Sequence, residues 1–160
     1  MILDNIGMIL AASNRSRLYL QQMVNHDLYP AFCIYLQGTE TRSPEAAAAS
    51  RPHNTTVDTS GFDLAIPVPE LLKRHGVPHV KLETNDPNHE SVIAALKVRP
   101  ESVFVYSGPG GALLRKPLLA LGKRFLHMHP GILPYFRGST TIYYSLLHDG
   151  SCGVTALFLN

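Results

Sequence analysis

Only two cysteines occur in the 160 residues. Cys33 lies inside an apolar run and Cys152 just before one, with no partner spacing. That excludes a disulfide framework and reads as reduced, structural thiols of a cytoplasmic protein. Charge is also sparse: 16 % of residues are charged and the net charge is +2, with Lys and Arg scattered along the chain. Such a balance gives no strong nucleic-acid signal and supports at most a mild attraction to anionic metabolites. No apolar run approaches the roughly 20 residues of a membrane span. The apolar start, "MILDNIGMILAAS", is short, lacks a basic flank and is interrupted by Asp4, so it reads as neither a secretion signal nor an anchor. Two phosphate-binding motifs are missing as well. No G-x-G-x-x-G opens the first helix, and no Gly-Lys-Ser/Thr follows the later glycine-rich loop.

What is present suits a compact α/β domain: 45 % of residues are apolar, in a chain long enough to bury one core. "IGMILAAS" (Ile6–Ser13) is a short apolar run, followed by a helical pattern in which Leu18, Tyr19, Gln22 and Met23 share a side. "AFCIYLQG" (Ala31–Gly38) reads as a strand buried on both faces. A long polar segment, Thr39 to Phe62, follows, with a short helix expected from Ser43 and Pro44 to Ala49. Helices are expected from Pro69 to Gly76 and after the Asp86-Pro87 cap, where Val92, Ile93 and Leu96 form the apolar face. "PHVKLE" and "SVFVYSG" read as strands, and a short helix near "PLLALG" leads into the strand "FLHMH". A helix from Ser139 closed by Gly150 and a last strand, "GVTALFLN", complete the series. The alternation predicts a Rossmann-like, doubly wound and mostly parallel sheet with helices on both faces, in one domain without internal repeats. In such folds ligands bind beyond the carboxyl ends of the strands. That rule draws together Ser13–Ser16, Ser107–Gly111 and the stretch from His127 to Gly138.

Each of those stretches has more than one reading. Ser13 and Asn14, with the free amides of a helix start, can hold a phosphate or carboxylate, or can simply cap the helix. "SGPGG" lets backbone approach a ligand closely. His127 and His129 alternate with Met128, so on a strand both imidazoles face one way. Two histidines on one face can begin a zinc site, but a third ligand is needed, and no cysteine cluster or spaced carboxylate lies nearby in the sequence. No metal is expected.

"HMHPGILPYFRGSTTIYYSLL" followed by "DGSCGVTALFLN" resembles the signature of the folate-dependent formyltransferases. The family pattern is Asn-x-His-Pro-(Ser/Gly)-x-Leu-Pro-x-x-Arg-Gly, a helix, then a Gly-Val-Thr strand and a loop bearing a catalytic Asp. The match is close from His127 to Asn160, and the order of elements before it fits the same domain. The resemblance implies transfer of a formyl group from 10-formyltetrahydrofolate to a primary amine of a small acceptor, a nucleotide sugar or other metabolite, through a tetrahedral oxyanion. It makes His129 the catalytic histidine and puts His127, as second donor, where the family carries Asn. Gly111, Leu113, Leu114 and Phe125 are then expected at the folate. Ser13, Asn14, Arg137, Gly138 and Ser139 are expected at the acceptor. The catalytic Asp is expected a few residues beyond Asn160, so residues 1–160 read as one formyltransferase-like domain truncated before that loop. Rival readings are a non-catalytic folate- or nucleotide-binding module, a His-x-His metal hydrolase and a purely structural domain.

Overall fold

A computed structural model describes residues 1–38, 61–138 and 140–159 of the protein. The expected polar segment falls largely in 39–60, so the helix anticipated near Ser43 lies outside the described residues, as does Ser139. Six strands among the described residues form one sheet: β1 (Ile2–Ala11), β2 (Tyr29–Leu36), β3 (His79–Leu82), β4 (Val103–Ser107), β5 (Arg124–His129) and β6 (Thr155–Leu159). Their spatial order is β3-β2-β1-β4-β5-β6. All neighbours run parallel except β5 and β6, which are antiparallel. Among the described residues five helices connect them: α1 (Asn14–Asn25), α2 (Val68–Arg74), α3 (Glu90–Lys97), α4 (Lys116–Leu119) and α5 (Thr141–Asp149). The mostly parallel, doubly wound sheet is the one the sequence pattern predicts.

The unbroken apolar strands follow from burial on both faces. Met8 and Leu10 of β1, with Cys33 and Tyr35 of β2, pack against Leu20 of α1 and against Val68, Leu71 and Leu72 of α2. The alternate residues Ile9, Ile34 and Leu36 turn to the other face, where Val92 and Leu96 of α3, Leu118 of α4, Phe104 and Phe125 complete a second cluster. Phe104 pairs directly with Phe125 across β4 and β5, with ring centroids 6.5 Å apart.

Local boundaries differ in three places. β1 begins at Ile2 rather than Ile6, because its exposed start still pairs with Tyr29 and Pro30 of β2. On α1 the buried residues are Ser16, Leu20 and Gln21, and Gln22 faces solvent. Gln21 is drawn inward by paired bonds to the backbone of Asp63, its Oε1 accepting at 2.7 Å and its Nε2 donating at 2.8 Å. Asp86 does not cap α3. Its carboxylate closes a turn on the Asn88 amide at 2.9 Å, and α3 starts later, at Glu90, with His89 as its cap.

Strand order reverses direction between β1 and β4, since β2 and β3 lie on one side and β5 and β6 on the other. The crevice beyond the carboxyl ends of β1 and β4 is therefore the switch point where doubly wound sheets take ligands.

Candidate active site

The turn from β1 into α1 is fastened to the end of β4 by hydroxyls. Ser13 caps α1, its Oγ accepting from the Ser16 amide at 3.2 Å. Ser16 is fully buried and donates through Oγ to the Ser107 carbonyl at 2.8 Å. The neighbouring Arg15 reaches across the crevice. Its Nη2 donates to the Gly108 carbonyl at 2.6 Å and its Nε to Ser107 Oγ at 3.4 Å. A cation is thereby held at the carboxyl end of β4.

Beyond this fastening lies a cleft of about 620 Å³, within the usual range for a small-molecule site. Its lining joins Arg15 and Tyr106 to the loop Pro109–Leu114, to His127, His129 and Pro130, and to Gly138, Thr140 and the apolar side chains of Leu119 and Leu159. Tyr106 is the last residue but one of β4, on the same sheet face as Phe104, and His127 lies beside it on β5, the two rings 6.4 Å apart. The sequence periodicity thus holds: Phe125, His127 and His129 share a face, and both histidines open into one cleft. Met128 points to the opposite face, beside Met8, Met23 and Val105.

The two histidines stand in different settings. His129 Nε2 lies 2.8 Å from the Phe136 carbonyl; a carbonyl only accepts, so Nε2 carries a proton. The loop that supplies this carbonyl is braced in turn. Thr155 Oγ1 donates to Gly131 O at 2.7 Å and accepts from the Leu133 amide at 3.1 Å, and Thr141 Oγ1 donates to Pro130 O. His127 has a buried Nδ1 with no hydrogen-bond partner among the described residues. Burial first, then the Arg15 cation, hold its imidazole below the usual histidine range, against an opposing contribution from the Tyr106 backbone. Its resting form near neutrality is therefore uncharged.

The segment 111–115 forms one wall. Asn88 fixes it, accepting from the Arg115 amide at 2.7 Å and donating to the Leu113 carbonyl at 2.9 Å. The other side of the wall faces an open depression lined by Asn85, Asp86, Pro87 and Asn88. Among the described residues no three His, Cys, Asp or Glu side chains gather as a metal set would.

Of the residues expected from sequence, the fold brings His127, His129, Gly111, Leu113, Leu114 and Gly138 to the cleft. It does not bring Phe125, which is fully buried against Phe104 in the core. Position along the strand decides this: Phe125 is the second residue of β5, whereas His127 and His129 lie in its carboxyl half. Ser13 and Asn14 are spent locally, Ser13 on the helix cap and Asn14 on Arg17, whose Nη1 donates to Asn14 Oδ1 at 2.7 Å. Arg137 is exposed and donates to the Pro134 carbonyl at 3.0 Å. Arg15 and Tyr106 were not anticipated as site residues. The switch-point rule had marked the stretch containing Arg15, but its long side chain, not the capping serine, spans the crevice.

A doubly wound α/β domain with a partly polar cleft at its switch point belongs to the small-ligand-binding class of that fold. No protein-family model matches the chain. Over 100 residues it is 32 % identical to a methionyl-tRNA formyltransferase of Roseiflexus sp. (strain RS-1), a match covering 61 % of this chain and 30 % of the relative. A second methionyl-tRNA formyltransferase, from Ehrlichia ruminantium (strain Welgevonden), is 28 % identical over 130 residues, 77 % of this chain and 37 % of the relative. The matched part is thus about a third of the length of these relatives. Among solved structures, glycinamide ribonucleotide transformylase 1 from Symbiobacterium toebii superposes with a TM-score of 0.57 at 22 % identity, over 97 % of this chain and 65 % of that one. The chain is thus similar in sequence to methionyl-tRNA formyltransferases over the matched part, and shares the fold of glycinamide ribonucleotide transformylase over nearly its whole length.

Proposed function

We propose that this cleft transfers a formyl group from 10-formyltetrahydrofolate to a primary amine on a small acceptor. The observation that carries the reading is the convergence of His127 and His129 with the Gly111–Leu114 wall in one cleft. The wall offers backbone and leucine side chains to a flat aromatic ring, and the histidines lie deeper. The folate supplies the formyl carbon; the chain's own residues hold it and move protons. With Nε2 committed to Phe136, His129 works through Nδ1, taking the proton that the attacking amine loses and returning it to the folate N10 as the bond from N10 to the formyl carbon breaks. His127 faces the formyl oxygen, where a donor of this kind is worth about 3 kcal/mol.

Arg15 gives the cleft a fixed positive charge, which suits an acceptor carrying a phosphate or carboxylate, such as a nucleotide sugar. A cytoplasmic setting fits the free thiols of Cys33 and Cys152. Among the described residues no helix is long and apolar enough to cross a membrane.

Calorimetric titration with 5-formyltetrahydrofolate, a formyl-bearing folate that does not donate its group here, tests the donor half. Saturable binding at one site is the expected result. No heat up to millimolar ligand would remove folate from the reading. Binding without formyl transfer to any amine in a panel of amino sugars and amino-nucleotides would leave a binding module instead.

A further inference from the structure

Two polar atoms of the cleft are buried without a hydrogen-bond partner among the described residues: the Tyr106 hydroxyl and His127 Nδ1. Buried polar atoms are nearly always paired, and an orphan in a cleft marks the place where a ligand or water completes the set. Tyr106 is only 4 % exposed, yet its ring forms part of the cleft lining beside His127. Gly108 makes room for it. A Cβ at that position would lie 2.5 Å from Cε2, Cζ and Oη of Tyr106, so the absence of a side chain there creates the seat of the phenol.

We infer that Tyr106 is a ligand-contacting residue, and that its hydroxyl and the His127 imidazole together bind one uncharged carbonyl oxygen. Three observations favour a neutral group over an anion. Both side chains are themselves uncharged polar groups. Their neighbours in the cleft include Leu114, Leu119 and Leu159, so an anion there would lose its hydration. Arg15, a cation elsewhere in the cleft lining, directs Nη2 and Nε to Gly108 and Ser107 rather than to this pair. The further step, that the carbonyl is the formyl group of the donor, rests on the formyl-transfer reading; the carbonyl site itself does not.

The test uses the full chain with selectively labelled tyrosine and histidine, titrated with N-methylformamide and, separately, with sodium formate, by NMR. The expected result is saturable movement of the Tyr106 and His127 signals with N-methylformamide, no saturation with formate in the same range, and a roughly five- to tenfold weaker amide in Tyr106→Phe. Equal binding of N-methylformamide by Tyr106→Phe, or preference for formate, would overturn the proposal. So would failure of the amide to move either signal. A parallel comparison of 5-formyltetrahydrofolate with tetrahydrofolate separates the two ideas. Loss of the formyl compound's advantage in Tyr106→Phe supports both. If the amide binds as expected but neither folate does, the carbonyl site stands and the folate reading fails.

Discussion

The His129 imidazole donates through Nε2 to the carbonyl of Phe136, seven residues further along the chain, at 2.8 Å. That bond sets the proton position on Nε2 and, with the Thr155 and Thr141 hydroxyls, braces the loop between Pro130 and Gly138. His129→Ala is expected to lower formyl transfer at least about a hundredfold. His129→Gln keeps an amide that can donate to Phe136 but has no basic nitrogen. It should keep the loop amide signals of Phe136 and Gly138 near their original positions while losing turnover as the alanine variant does. Recovery of turnover in the glutamine variant would make His129 a loop brace rather than a proton acceptor.

His127 should titrate below the ordinary histidine value of 6.5, because burial and then Arg15 disfavour its charged form. Between that lowered value and 6.5 the unfolded chain binds the extra proton and the folded chain does not. Stability should consequently fall as pH drops through this window and be unaffected by His127 above it. Arg15→Gln removes the second cause but not the first, so the NMR midpoint of His127 should rise only part of the way. A full return to 6.5 would show that charge, not burial, dominates.

Gly108→Ala should displace the Tyr106 ring, since the new Cβ would lie 2.5 Å from three of its atoms. Tyr106 is packed in the core cluster with Phe104 and Phe125, so the displacement should cost about 1–3 kcal/mol of stability. Denaturant titration measures this. Affinity for 5-formyltetrahydrofolate should fall in the same variant, and a normal affinity would place Tyr106 outside the binding surface.

At the amino end of the sheet, Glu101 is buried under a two-bond pairing with Arg99, at 3.0 and 2.6 Å. Lys123 donates to the carbonyls of both residues at 2.6 and 2.8 Å, and the Arg99 guanidinium stacks on Phe32 at 3.9 Å. The Arg99 hydrogen bonds, above all, hold the Glu101 carboxyl below the usual carboxylate range. Its contribution should be present above the ordinary glutamate value and be lost as pH falls through the lowered one. Glu101→Gln should cost on the order of 2 kcal/mol at neutral pH and flatten the acid limb of the stability profile. Formyl transfer should be unchanged at temperatures where the variant is folded.

Much of this architecture can be read from local pattern. Apolar runs with no polar alternation, "IGMILA" and "FCIYL", specify strands buried on both faces, and their separation by helical segments specifies a parallel sheet. The same period of two in "FLHMH" puts both histidines on one face before any contact is known. The antiparallel turn of β6 onto β5 is not visible in that pattern, because it depends on how the chain returns across the sheet edge.

The residue types at the site, their shared strand face and the doubly wound fold were determined by the sequence alone, since each follows from side-chain period and apolar content over a few residues. Depth and reach were decided by the tertiary structure. Phe125 and His127 obey the same period, but pairing with Phe104 buries one in the core, and nearness to the strand end brings the other to the cleft. Ser13 and Arg15 share one turn, but Ser13 turns to its own helix, whereas Arg15 reaches Ser107, 92 residues away in the chain. Such contacts depend on β1 and β4 being neighbours, which strand order fixes and local sequence does not.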